Sequence, residues 1–155
     1  MLKLTKKADY ALMAMKHLAD KAFEGTRSAS AKDVADSFGI PPEALAKILQ
    51  RLAKAGLLLS HHGTNGGYRL ARPAHTISAF EVIRAIDGPL FITSCITVRG
   101  ECDQTDRCTI REPLRRVNES IEQVLRRISI SEMKEETHSH EETETKKPAE
   151  LVTIT

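Results

Sequence analysis

The chain has no tryptophan, only three cysteines among its 155 residues, and no apolar run approaching the roughly 20 residues that a membrane span requires. Its first 18 residues, MLKLTKKADYALMAMKHL, carry Lys3, Lys6, Lys7, Asp9 and Lys16, so the apolar core and small-residue cleavage site of a secretory signal are missing. A membrane role is therefore not expected, and the expected location is the cytoplasm. Thiols stay reduced there, and clustered cysteines serve metal binding or redox chemistry more often than structural disulfides. Also missing are a glycine-rich phosphate loop, a paired-carboxylate motif and a histidine close to a cysteine that could act as its base. Neither an enzyme nor a small-molecule substrate is expected. There is no internal repeat, and the length suits one domain with a real core, or a small domain with an appendage.

Charge is unevenly spread. Residues 1–72 hold 12 Lys/Arg against 6 Asp/Glu, and residues 73–155 hold 11 against 15. A front half at +6 and a rear half at −4 suggest that the front meets a polyanion, although lysines also serve simply as solvated surface.

The apolar spacing of Ala8, Ala11, Leu12, Met15, Leu18, Ala19 and Ala22 predicts an amphipathic helix over 8–22. Ser30 followed by Asp33 resembles a capping box before a short helix, 31–38, which Gly39 is placed to end. Pro41 and Pro42 suit the opening of a third helix, where a missing N–H costs nothing. In PPEALAKILQRLAKAG, Leu45, Ile48, Leu49 and Leu52 form one stripe, with Lys47, Gln50, Arg51 and Lys54 on the other side. Two helices joined by a short glycine-containing turn, the second with a basic and amide-bearing outer face, make a helix-turn-helix pattern. Residues 57–62 and 68–72 then read as two strands around Gly63, Asn65, Gly66 and Gly67, a wing able to reach a phosphate backbone or minor groove.

Ser78 opens another amphipathic segment, SAFEVIRAIDGP, with Phe80, Val82, Ile83 and Ile86 for the core and Gly88-Pro89 as its stop. Further on, Ile110, Leu114, Val117, Ile121, Val124 and Ile128 recur in steps of four and three. So narrow a seam suits a partner helix, predicting a homodimer through residues 112–128; the alternative is packing back on its own domain. Glu112-Arg116 and Glu122-Arg126 add ion pairs in the favourable order. From Ser131 the chain is glutamate-rich and aperiodic and reads as a disordered tail, in which His138 and His140 read as solvated rather than metal-binding.

Between these elements lies CITVRGECDQTDRC, with Cys95, Cys102 and Cys108 separated by six and then five residues. This spacing does not match paired CxxC knuckles, and zinc would want a fourth ligand. Iron–sulfur clusters tolerate looser spacing and accept an oxygen or imidazole in place of one thiolate. A thiol switch, in which two of the three cysteines form a disulfide, stays open beside the cluster reading.

Taken together, LTKKADYAL, the helix-turn-helix ASAKDVADSFGIPPEALAKILQRLAKAGLL, the wing GTNGGYRLAR, ISAFEVIRAIDGP and the three-cysteine loop resemble the Rrf2 family of winged-helix regulators, over about residues 1–130. The resemblance implies a mainly α fold with a small β-hairpin: a winged helix-turn-helix DNA-binding domain (1–90), a cysteine-rich cluster-binding loop (91–109) and a long dimerisation helix (110–130). An acidic tail (131–155) lies outside it. The implied function is a cytoplasmic, homodimeric transcriptional regulator, a repressor, binding a pseudo-palindromic operator in double-stranded DNA. Its control would be an iron–sulfur cluster, 2Fe–2S or 4Fe–4S, sensing cluster supply, redox state or nitric oxide.

The implied DNA contacts are Ser30, Pro42, Glu43, Lys47, Gln50, Arg51 and Lys54 on the helices, with Asn65, Gly66, Gly67, Tyr68 and Arg69 on the wing. The implied cluster ligands are Cys95, Cys102 and Cys108. Some members of the family place a histidine three residues after the third cysteine as the fourth ligand; here that residue is Arg111, which has no lone pair to give. Others use an aspartate of the first helix, and Asp9 stands at the matching place, where a helix N-terminal carboxylate is also favoured by the macrodipole.

Overall fold

Thr5 is extended and its hydroxyl accepts from the Ala8 N–H at 3.2 Å, which caps the first helix, α1 (Lys6–Phe23). The computed structural model describes residues 3–26, 28–64, 66–96 and 102–133. Ala8, Ala11, Ala14, Met15 and Leu18 form the buried face of α1: four of the expected positions plus Ala14, while Leu12 and Ala19 are half-buried and Ala22 is exposed, because the face in contact with the other helices is centred nearer Ala11 and Met15. The small side chains let neighbouring helices approach closely. The second helix, α2 (Ala31–Phe38), begins with the expected capping box: the Asp33 N–H donates to the Ser30 hydroxyl at 3.1 Å, and the Ser30 N–H donates to the Asp33 carboxylate at 3.1 Å. It ends at Gly39, whose φ of 62° is a left-handed conformation that a β-carbon would strain.

The third helix, α3 (Pro42–Lys54), starts on Pro42 and buries Leu45, Ile48, Leu49 and Leu52 against α1, α2 and the next helix. Each of those side chains contributes about 1.5–3 kcal/mol by leaving water. Its C-terminal end is tied closely to the wing, because the Leu57 N–H donates to the Leu52 carbonyl at 3.0 Å. That bond delays the first strand, β1 (Leu58–His61), by one residue relative to expectation. It pairs antiparallel with β2 (Gly67–Leu70), in the register Leu58 to Leu70 through His61 to Gly67.

A third backbone segment joins the wing. Ala29 and Tyr68 exchange two N–H···O bonds, of 3.1 and 2.8 Å, so the α1–α2 connection pairs with the free side of β2. Here Gly67 has a steric purpose, since a β-carbon on it would lie 2.5 Å from the Ala29 carbonyl oxygen.

A fourth helix, α4 (Ala79–Asp87), is capped by Ser78 with Glu81 and packs on α1 and α3. Ile77, Val82 and Ile86 join the main core. The fifth, α5 (Arg111–Arg127), leans on α4, where the Arg126 guanidinium stacks over the Phe80 ring at 3.9 Å from its centroid. Beyond α5 the chain returns to the domain: the Ala79 N–H donates to the Ile128 carbonyl at 2.8 Å and the Ile130 N–H to the Ile77 carbonyl at 2.9 Å. Ile130 is fully buried and Met133 packs against the same core. The helix expected over 110–130 thus ends at Arg127, since residues 128–130 turn back to bond α4 and the core, and Met133 of the segment expected as a tail is packed; 134–155, with His138 and His140, lie outside the described residues. Among the described residues, no helix is long and apolar enough to cross a membrane.

Gly67→Ala is expected to pry Ala29 from β2 and to destabilise the fold by roughly 1–3 kcal/mol, the usual cost of overpacking. Urea denaturation of the variant beside wild type measures it, with Ala71→Gly as a control outside the Ala29 contact.

Candidate nucleic-acid interface and cysteine loop

Because α3 turns its leucine stripe inward, Glu43, Lys47, Gln50, Arg51 and Lys54 are left exposed along its other side. They line one groove of about 650 Å³, together with Lys7 from α1 and Ile86 from α4. Sequence spacing within α3 foretold Lys47, Gln50, Arg51 and Lys54, and the family resemblance added Glu43. Spacing could not foretell Lys7, which reaches the groove only because α1 crosses α3, and whose one signal was the basic opening of the chain. Lys47 and Lys54 have no acidic partner among the described residues, so the positive charge of the groove is uncompensated by ion pairing there.

Arg51 differs from its neighbours. Its Nη1 donates to the Ile86 carbonyl at 3.0 Å, at the last turn of α4, so part of the guanidinium holds α3 to α4. The same helix end is tied to α1: the Thr5 N–H donates to the Asp87 carboxylate at 3.2 Å, and the Thr5 hydroxyl donates to the other carboxylate oxygen.

The remaining expected DNA residues divide by the work the fold gives them. The Ser30 hydroxyl is occupied in its cap, where it donates to Asp33 at 2.6 Å. That bond, then the Ser30 N–H, holds the Asp33 carboxyl below the ordinary aspartate range. Pro42 sits in the first turn of α3 and is exposed. Gly66 closes the wing turn, with its N–H donating to the Gly63 carbonyl at 2.9 Å, and a β-carbon there would lie 2.6 Å from the His61 carbonyl oxygen. Gly67 and the Tyr68 backbone are engaged with Ala29, and the half-buried Tyr68 side chain packs on the core. Arg69 is exposed on β2, and Asn65 lies outside the described residues.

All three cysteines are half-buried and none is in a disulfide. The Thr93 hydroxyl lies 3.2 Å from the Cys95 sulfur, and the Cys102 carbonyl accepts from both the N–H and the hydroxyl of Thr105, at 3.1 and 2.6 Å. Three thiols of this kind match the chemistry of iron–sulfur ligation. Among the described residues, however, no three His, Cys, Asp or Glu side chains come close enough to hold a metal ion, and residues 97–101 of the loop are not described. Asp9 is half-buried in the first turn of α1, one turn beyond the Thr5–Asp87 contact.

The heptad seam of α5 is partly open. Ile110, Val117 and Val124 are exposed, while Leu114, Ile121 and Ile128 are half-buried. Val117, Ile121, Val124 and Leu125 line a shallow apolar groove of about 410 Å³. Both expected ion pairs on the helix form, Glu112–Arg116 at 3.5 Å and Glu122–Arg126 at 3.8 Å; Arg115 adds pairs with Glu112, at 2.7 Å, and with Glu119.

A helix-turn-helix whose second helix keeps an unpaired basic stripe in the open, followed at once by a hairpin, has the architecture of winged-helix transcriptional regulators. The chain belongs to the Rrf2 family, described as an iron-dependent transcriptional regulator, whose profile matches residues 4–136. It is 46% identical over 89 residues to Rv1287 of Mycobacterium tuberculosis, named as an HTH-type transcriptional regulator, a match covering 57% of this chain and 54% of that protein. The chain thus spans about half the length of the curated relatives it first matches. Among solved structures it is similar to CymR of B. subtilis, the global cysteine regulator, with a TM-score of 0.67 and 27% identity over 85% of this chain and 95% of that one. It is also similar to T. potens IscR, with a TM-score of 0.63 and 30% identity over 85% of each chain. The family and the Mycobacterium relative are transcriptional regulators, not enzymes.

Arg51→Ala is expected to cost about 1 kcal/mol of folding stability with the loss of its bond to Ile86. Lys47→Ala, which breaks no such bond, is expected to stay within about 0.5 kcal/mol of wild type. Chemical denaturation of the two variants in the absence of DNA separates the residues.

Proposed function

We propose that the chain is a homodimeric repressor of transcription, binding double-stranded DNA under the control of an iron–sulfur cluster on the cysteine loop. The observation that carries the reading is the pairing, in one short domain, of an uncompensated basic groove on α3 with a loop of three free, half-buried thiols. Cys95, Cys102 and Cys108 are the proposed ligands; with Arg111 unable to ligate, Asp9 is the proposed fourth, from the same or the partner subunit. When bound, the cluster would supply a group sensitive to redox state and to nitric oxide, held by those side chains.

The protein residues do the rest. Lys47, Gln50, Arg51 and Lys54 enter a major groove, with Arg69 on the wing at the adjacent backbone and Lys7 adding charge to the same surface. The open seam of Ile110, Val117 and Val124 pairs with its copy, and the resulting two-fold axis calls for a pseudo-palindromic operator. Loop states that favour one dimer arrangement shift the populations of the two recognition helices by their differential affinity.

A second reading has its own support, since three free thiols without a gathered metal site among the described residues are also the raw material of a thiol switch. In it, two thiols lose two protons and two electrons to a cellular oxidant and form a disulfide.

Protein purified without oxygen is expected to be brown, with equal iron and sulfide, and Cys102→Ala is expected to bleach it. Colourless protein that binds operator and resists reconstitution would leave the thiol switch. On duplex operator, Lys47→Ala is expected to weaken binding at all sequences alike and to lower the salt slope by about one; an unchanged slope in a titration from low to high salt would remove Lys47 from the interface.

A further inference from the structure

The only buried residue of α5 is polar. Asn118 is 5% exposed, and it is the buried polar residue of the described chain. Its Oδ1 accepts from the Ile92 backbone N–H at 3.0 Å, and its Nδ2 donates to Glu122 at 3.3 Å. An apolar side chain would serve burial alone at least as well, so the amide has a geometric use. It seizes one backbone N–H in the segment that leads out of α4 toward Cys95, three residues further on.

That segment is short and held at both ends. At its start, the Ile86 carbonyl accepts from Arg51 of the recognition helix, and the next residue, Asp87, takes both bonds from Thr5. Only six peptide links separate Ile86 from Ile92, and Pro89 among them removes freedom from the backbone. Asn118 is also the immediate neighbour of Val117, on the exposed seam of α5. A displacement of Cys95 therefore acts at Ile92 on two things at once, the dimer helix through Asn118 and the recognition helix through the strap to Ile86.

We propose that Asn118 is the positioning residue that couples the cysteine loop to the dimer helix and, through the strap 86–92, to the recognition helix. This rests on the reading of the loop as the sensing element and names the joint through which its state reaches the DNA. Coupling of this kind requires a hydrogen bond that both sites bias, and it is tested by the coupling itself rather than by proximity.

The test uses the full chain as a dimer. Asn118→Leu keeps the volume and removes both the acceptor for Ile92 and the donor to Glu122; the double variant Asn118→Asp with Glu122→Gln keeps an oxygen facing Ile92 and places an amide donor, in place of a second carboxylate, against the other oxygen. Two quantities are read. One is the rate at which iodoacetamide alkylates Cys95 relative to Cys108 in metal-free, reduced protein. The other is the ratio of operator Kd between reduced metal-free protein and protein loaded with ferrous iron and sulfide, or oxidised with diamide. Asn118→Leu is expected to raise the relative Cys95 rate several-fold and to bring the Kd ratio toward one, while the Asn118→Asp, Glu122→Gln double variant stays near wild type in both. If Asn118→Leu does not fold, Asn118→Ser, whose side chain is too short for Ile92, is read in its place with the same expectations.

A folded variant that keeps the wild-type Cys95 rate and a wild-type Kd ratio well above one overturns the coupling alone. A wild-type Kd ratio of one in every loop state overturns the sensing reading and the coupling with it.

Discussion

Burial of Leu45, Leu49 and Leu52 on one side of α3 is the constraint that sets the functional surface. The helical period places Lys47, Gln50, Arg51 and Lys54 opposite those leucines, so the apolar stripe cannot be buried without the basic one being exposed. The cost of hiding an unpaired lysine is high enough that the reverse orientation is not available. Stability and the exposure of the basic face are thus one decision, taken by three leucines beneath α1 and the start of β1.

The wing depends on a smaller economy of space. Two strands of four residues would be marginal alone. The backbone of Ala29 adds a third line of hydrogen bonds, and it comes close enough only because position 67 has no side chain. Three of the wing residues that family resemblance marks for DNA, Gly66, Gly67 and Tyr68, are therefore also structural, and Arg69 is the described member of that set whose side chain is left to solvent. Ser30 shows the same overlap, with its hydroxyl engaged in holding the start of α2.

At the far side of the domain, α4 is the hub. Its first residue pairs with the chain beyond α5, its Phe80 lies under Arg126, and its last turn receives Arg51 and Thr5. The cysteine loop leaves from this hub and is caught by Asn118 before it reaches Cys95. The loop is thereby anchored at Ile92 to α5 and, through the last turn of α4, to α3, within packed elements that move as units and not as deformable chains.

Local rules made much of this legible. The caps at Ser30 and Ser78, the stop at Gly39, the bounds of α3 and the seam of α5 depend on residues within one or two turns of each other, and that range is where spacing carries information. The charge of the α3 stripe was legible for the same reason. What the tertiary structure alone decided were the encounters between residues far apart in the chain: Lys7 beside α3, Arg51 on Ile86, Thr5 on Asp87, Ala29 on Tyr68, Ile130 in the core and Asn118 on Ile92. None of these has a period or a motif, since each is set by how whole helices cross once their apolar faces are buried. Sequence alone determined which surfaces the elements would offer; the packing of helices determined which of those surfaces meet.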